Sequence, residues 1–151
     1  MWKKWKNKKL LKNEKGLTLV ELLAVIVILA IIAAIAVPAI GNIINKSKDR
    51  AILAEASNIL AGAKIAYIDG VCAENGTCNA AALQQFVDGI DLTEHDASAT
   101  YADNEWSISY ERFGELRTEI LGDITLGTNN TLTEQQLNTA LTNAGGEPET
   151  P

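Results

Sequence analysis

Glu21 has the most unusual chemical setting in the sequence, because it is a single carboxylate at the start of a long apolar run. The nineteen residues Leu22–Ile40 carry no charge. As a helix they would extend about 28 Å, close to the ~30 Å hydrocarbon thickness of a bilayer. A carboxylate at the edge of a membrane segment is costly unless a cation accompanies it. Glu21 is therefore a candidate functional residue.

The sequence offers two sources for that cation. Lys15 lies six residues before Glu21, which is not a neighbouring position on a helix. A cut between Gly16 and Leu17 would instead create a free amine about one helical turn from Glu21, on the same side. This amine could also meet Glu21 of an adjacent copy, since opposite charges attract strongly in a medium of low dielectric constant.

An ordinary secretory signal peptide is the alternative interpretation of this segment. Its apolar region is usually about 7–15 residues long, which is shorter than the run found here. A signal peptide also does not require an acid such as Glu21 at its membrane-entering end. Finally, Gly41 is followed by a predicted helix and not by a loop with a cleavage site.

Charge divides the chain into a basic head, an apolar middle and an acidic body. The net charge is −6, but residues 1–16 carry seven lysines against one glutamate. From residue 51 onward, three basic residues face sixteen acidic ones. The positive-inside rule predicts a cytoplasmic head and a body across the membrane. Direct nucleic acid binding is not expected, because it requires a basic surface. The leader lysines are Lys3, Lys4, Lys6, Lys8, Lys9, Lys12 and Lys15.

The stretch Lys15-Gly16-Leu17-Thr18-Leu19-Val20-Glu21-Leu22-Leu23 resembles the processing site of type IV prepilins and pseudopilins. In that family a short basic leader ends in Gly, and Glu is the fifth residue of the mature chain. The resemblance implies that a prepilin peptidase removes residues 1–16 by cutting between Gly16 and Leu17. It also implies N-methylation of Leu17, where the family more often has Phe. Pro38 matches a helix-loosening proline of the family.

The resemblance further implies a structural subunit that polymerises into a filament through its N-terminal helix. The expected partners are copies of the chain, the prepilin peptidase, an assembly ATPase and its inner-membrane platform, and the membrane itself. The chain would first lie in the cell membrane as a single-pass protein and later in a surface filament. The filament could serve DNA uptake, adhesion or motility, or type II-like secretion. A minor pilin or adhesin-like subunit is the alternative.

A third possibility, a signal-anchored enzyme or receptor, is not favoured. The sequence offers no nucleophile–base set and no metal cluster in a recognised spacing, so we expect no enzyme and no required cofactor. His95 is predicted to be a solvated surface residue. The acidic stretch that could hold Ca²⁺ has no EF-hand spacing and is predicted to be a solvated loop; it comprises Asp88, Asp91, Glu94, Asp96 and Asp103.

Helical character should continue beyond the membrane, giving one helix from about Leu17 to Tyr67. Residues 17–40 form its membrane and polymerisation half, and residues 41–68 an amphipathic half. Pro38 and Gly41 should kink or loosen it between the two. The predicted apolar face is Ile52, Ala56, Ile59, Ala63 and Ala66, broadened by Ile44, Leu53 and Leu60. The predicted solvated start is Lys46, Lys48, Asp49 and Arg50.

Residues 69–146 are predicted to form a small α+β body, giving the lollipop form of pilin subunits. Cys72 and Cys78 fit a disulfide loop if the body faces an oxidising exterior; free thiols or half of a metal site are the alternatives. A short helix is expected over residues 80–87, irregular structure over 88–105, and disorder over 147–151. One strand is predicted through Trp106, Ile108 and Tyr110, and a strand or helical turn over 116–120. The remaining predictions are a short strand at Ile124 and Leu126, and a last helix from the capping box Thr133–Gln136 to Ala144.

Overall fold

The structure is a computed structural model that describes residues 11–145 and the side chains of residues 17–145. Most of the predicted leader and the predicted tail at 147–151 lie outside these residues. Contacts within the chain divide it into two units, one up to Ile44 and one from Asn45 onward.

A single helix, α1 (Leu11–Ile68), spans 58 residues, so the predicted long helix is confirmed and begins before Leu17. Its end is well defined. Gly70 adopts a left-handed φ of 71°, and its N–H donates to the carbonyl of Tyr67 while that of Val71 donates to Ala66. This is a Schellman motif, which satisfies the last helical carbonyls and which glycine favours because it lacks a Cβ atom.

The second unit contains a four-stranded antiparallel sheet in the order β1-β2-β3-β4. The strands are β1 (Thr77–Cys78), β2 (Ser98–Ala102), β3 (Glu105–Ser109) and β4 (Thr131–Thr133). Short helices complete it: α2 (Ala80–Leu83), a 3₁₀ turn (Glu111–Glu115), α3 (Thr118–Leu121) and α4 (Glu134–Asn143). The predicted α+β class is therefore confirmed.

The core of this unit lies between the second half of α1 and the sheet with its short helices. All five residues of the predicted helix face are buried, as are Leu53 and Leu60. Across from them lie Ile108 of β3, Leu132 of β4 and Phe113 of the 3₁₀ turn, each fully buried. The three- and four-residue spacing along α1 thus gives one apolar stripe that a single small body covers.

Local signals position the strands and the last helix. Asp103 and Asn104 connect β2 to β3 with φ values of 52° and 66°, as expected for a two-residue type I′ hairpin. The capping box is confirmed: the Gln136 N–H donates to Thr133 Oγ1, and the Thr133 N–H donates to Gln136 Oε1.

Several predictions for α1 and for the second unit are wrong. Ile44 is half exposed and Asp49 is buried, the reverse of what was expected. The helix expected over 80–87 ends at Leu83, and β2 lies inside the stretch expected to be irregular. Ile124 and Leu126 lie outside the strands. Of the two alternatives predicted for residues 116–120, the helical turn is confirmed, as α3. Strand β4 was not predicted.

Candidate functional site

Residues 17–44 of α1 form an apolar surface that the described part of the chain leaves uncovered. Its large aliphatic side chains are between 48% and 70% exposed, which is the reverse of a core helix. By length and composition this is the one helix among the described residues that could cross a membrane, a test that signal sequences also pass. A helix that is apolar on every side requires an apolar medium on every side.

Glu21 lies near the start of this surface and is itself exposed. Among the side chains that the structure describes, none forms an ion pair with Glu21. Leu17 precedes it by one helical turn in the same helix, so an amine at Leu17 would lie within reach of this carboxylate. Gly16 also lies in α1. Gly16, Leu17 and Glu21 therefore lie within two turns of α1, and the side chains of Leu17 and Glu21 are exposed.

Pro38 and Gly41 both lie inside α1. Pro38 lacks an N–H, so one backbone hydrogen bond of the helix is missing there. A Cβ atom added at Gly41 would meet nothing within 4 Å, so no packing contact requires glycine at this position. The loosening of the helix at these two residues stays a prediction.

A partly buried polar group around the buried Tyr110 fixes α1 to the rest of the second unit. The hydroxyl of Tyr110 donates to Glu55 Oε2 over 2.7 Å, and Arg112 Nη1 donates to the same oxygen. Burial, together with the hydrogen bond to Glu55, raises the pKa of Tyr110 to about 12. The neutral phenol is thus the form that the folded unit favours. Sequence patterns did not reveal this group, because Glu55 precedes its two partners by 55 and 57 residues.

A second ion pair explains why Asp49 is buried. Its carboxylate accepts from Arg117 Nε over 2.7 Å and is 2% exposed. Asp49 precedes Ile52, Leu53 and Ala56 by three, four and seven residues, so helical spacing already places it on the buried face. That spacing was the signal the sequence offered. Lys64 and Glu134 form a further, half-exposed pair.

The predicted disulfide is present between Cys72 and Cys78. Gly76 in its loop adopts φ 79° and a Cβ atom there would lie 2.2 Å from the Tyr101 carbonyl oxygen, so only glycine fits. Asn75 Oδ1 accepts from the Thr77 N–H and supports the turn. The bond closes the connection between α1 and β1.

His95 and the acidic stretch were the other candidates that the sequence offered. His95 is half-buried, and its ring lies edge-on to Tyr110. Hydrogen bonds from the Glu94 N–H and from Thr93 lower the pKa of Asp91, which caps a local turn. Within residues 17–145, no three histidine, cysteine or acidic side chains are grouped as metal ligands would be.

Residues 11–37 match the family model described as the prokaryotic N-terminal methylation motif. This is the type IV prepilin-type signature, and the matched residues include Gly16, Leu17 and Glu21. The motif supports a type IV pilin-like or pseudopilin precursor that is anchored in a membrane by its apolar helix, a structural class of protein. Comparison with curated proteins and with solved structures gives no significant match.

Proposed function

We propose that this chain is the precursor of a filament subunit of the type IV pilus or pseudopilus kind. Prepilin peptidase cuts between Gly16 and Leu17 and N-methylates Leu17. The observation that carries the proposal is that the methylation motif, at residues 11–37, includes Glu21 and most of the exposed apolar surface of residues 17–44.

The exposure of the apolar surface of residues 17–44 supports two successive environments for it, first the membrane and then the filament. In the membrane, lipid chains cover it, with the basic leader on the cytoplasmic side and the second unit across the membrane. In the filament, the same surfaces of neighbouring copies replace the lipid. Transfer between two apolar media costs little hydrophobic free energy, so an assembly ATPase and its membrane platform can extract the helix.

The charge at Glu21 sets the register between copies in this proposal. A carboxylate buried among apolar helices is strongly destabilising unless a cation is paired with it. The Leu17 amine, exposed only by cleavage, supplies that cation within one copy or between adjacent copies. The chain acts as structural material and catalyses no reaction.

Mass analysis of the membrane-bound chain, co-expressed with a prepilin peptidase, tests the processing step. We expect a product that begins at a methylated Leu17, and an intact leader when the peptidase is absent. The Gly16→Leu variant should keep its leader. Gly41→Leu is the matched control, because the space beside Gly41 is open, and it should be processed normally. An intact leader in the wild-type chain with active peptidase would overturn the proposal.

A further inference from the structure

Three exposed cations directly follow the apolar surface. Lys46, Lys48 and Arg50 lie in α1, two to six residues beyond Ile44. We call them the basic collar. Within the described side chains, no ion pair or hydrogen bond engages any of the three. The collar therefore has its full charge available for a partner outside the chain.

The other cations of the second unit are already engaged. Lys64 pairs with Glu134, Arg112 with Glu55, and Arg117 with Asp49. These three are all the lysines and arginines after residue 50. Uncommitted positive charge in the second unit is thus confined to the collar.

Asp49 would be expected to neutralise part of the collar, because it lies between Lys48 and Arg50 in sequence. It does not, since its side chain points into the core and is bound by Arg117. The exposed Glu119 also contacts Arg117, over 3.2 Å. Both acids are therefore directed at Arg117, and the three collar charges remain unopposed.

The position of the collar along the helix favours lipid head groups as its partner. A rise of 1.5 Å per residue places its Cα atoms about 9–15 Å beyond Ile40, the end of the uncharged run. The polar layer on each side of a bilayer is about 5–8 Å thick, so the collar lies just outside this layer, and its long side chains can extend back towards the lipid phosphates. On a helical projection, Lys48 lies on one side of the buried Asp49, and Lys46 and Arg50 lie on the other. Exposed cations on both sides of the helix suit lipid head groups, which surround a helix where it leaves the membrane.

We propose that the basic collar binds the anionic head groups of phospholipids in the leaflet next to the second unit. The proposal rests on the membrane span of the proposed function. A body with sixteen acidic residues after position 50 is repelled by an anionic membrane surface. The collar supplies attraction where the helix leaves the lipid, and it fixes the depth of the apolar segment before assembly.

Electron paramagnetic resonance of spin-labelled lipids tests this proposal with the full chain in phosphatidylcholine vesicles. The measurement compares the immobilised fraction of spin-labelled phosphatidylglycerol with that of spin-labelled phosphatidylcholine. The chains compared are the wild type, the charge-removing variant K46Q/K48Q/R50Q and the charge-keeping control K46R/K48R/R50K. The leader lysines are the same in all three, so differences between the chains report the collar.

We expect the preference for phosphatidylglycerol to fall roughly two- to fivefold in the charge-removing variant and to persist in the control. Added salt should lower the wild-type preference towards that of the charge-removing variant. An equal preference in all three chains would overturn the proposal. So would an unchanged lipid preference combined with reduced cross-linking between copies, because the partner would then be a second copy. A wild-type chain that fails to float with the vesicles would contradict the membrane span itself.

Discussion

The two halves of α1 have similar aliphatic side chains but opposite surroundings. Ile28 in the first half is 56% exposed, whereas Ile59 in the second half is fully buried. In the second half, polar residues alternate with apolar ones at helical spacing, so one small body can cover the single apolar face. In the first half every face is apolar, so no folded body on one side could cover it. The distribution of apolar residues around a helix, more than their number, separates a core helix from one that needs lipid or copies of itself.

Matched substitutions in the two halves should have the largest difference in effect. Ile59→Ala opens a cavity in the core and should lower the free energy of unfolding of the second unit by about 3 kcal/mol. Ile28→Ala removes the same atoms from an uncovered surface and should leave that free energy unchanged. Denaturant unfolding in detergent measures both by fluorescence, in chains with Trp2 and Trp5 replaced by Phe so that Trp106 is the one tryptophan left. Equal effects would contradict the comparison.

The buried ion pair of the second unit should show the next largest effect. Arg117→Met leaves the Asp49 carboxylate buried without a cation, and should cost about 2–3 kcal/mol of unfolding free energy. The double variant D49N/R117M removes the uncompensated charge and should recover part of that loss. Glu119→Gln is the control at the exposed contact of Arg117, and it should change stability by less than about 0.5 kcal/mol. If the double variant loses as much unfolding free energy as Arg117→Met, the unpaired charge of Asp49 is not the cause of the destabilisation.

Ionisation of the buried Tyr110 phenol at alkaline pH should lower the free energy of unfolding of the second unit, by a smaller amount. Because its pKa is raised to about 12 in the folded chain, the stabilisation is fully present below the ordinary tyrosine pKa of about 10 and is lost as pH rises through 12. Across this window, the free energy of unfolding of the wild type should fall by on the order of 2 kcal/mol more than that of the Tyr110→Phe variant. Unfolding midpoints of both chains from pH 9 to 12 measure it. Parallel curves would contradict the assignment.

The sequence allowed the helices to be predicted better than the sheet, for physical reasons. The face of α1 and the capping box at Thr133 depend on contacts between residues three or four apart, which sequence spacing reveals. Strand β4 has only three residues, and it exists because β3 lies beside it, with Ile108 opposite Leu132. Strand β2 consists of Ser, Ala, Thr and Tyr, of which Thr and Tyr favour a strand and Ala does not. Its pairing on both sides stabilises it.

The functional residues likewise divide into those that local sequence spacing reveals and those that depend on long-range contacts. Gly16, Leu17 and Glu21 could be proposed from sequence, because the roles predicted for them depend on local spacing and on a neighbouring apolar run. The burial of Asp49 depends on Arg117, 68 residues away, and only the helical spacing of Asp49 hinted at it. The uncommitted charge of the collar follows from that long-range pair. It therefore required the structure.

The central claim is that Glu21 joins copies of this chain through the amine that cleavage exposes at Leu17. The most direct test is the amount of chain in sheared filaments from cells that supply the peptidase and the assembly machinery, compared between wild type, Glu21→Gln and the exposed control Glu74→Gln. We predict that Glu21→Gln reaches the membrane but is depleted in filaments by about tenfold or more, because its neighbour's amine loses a partner in an apolar medium. The control should assemble normally. A normal filament yield for Glu21→Gln would contradict the account.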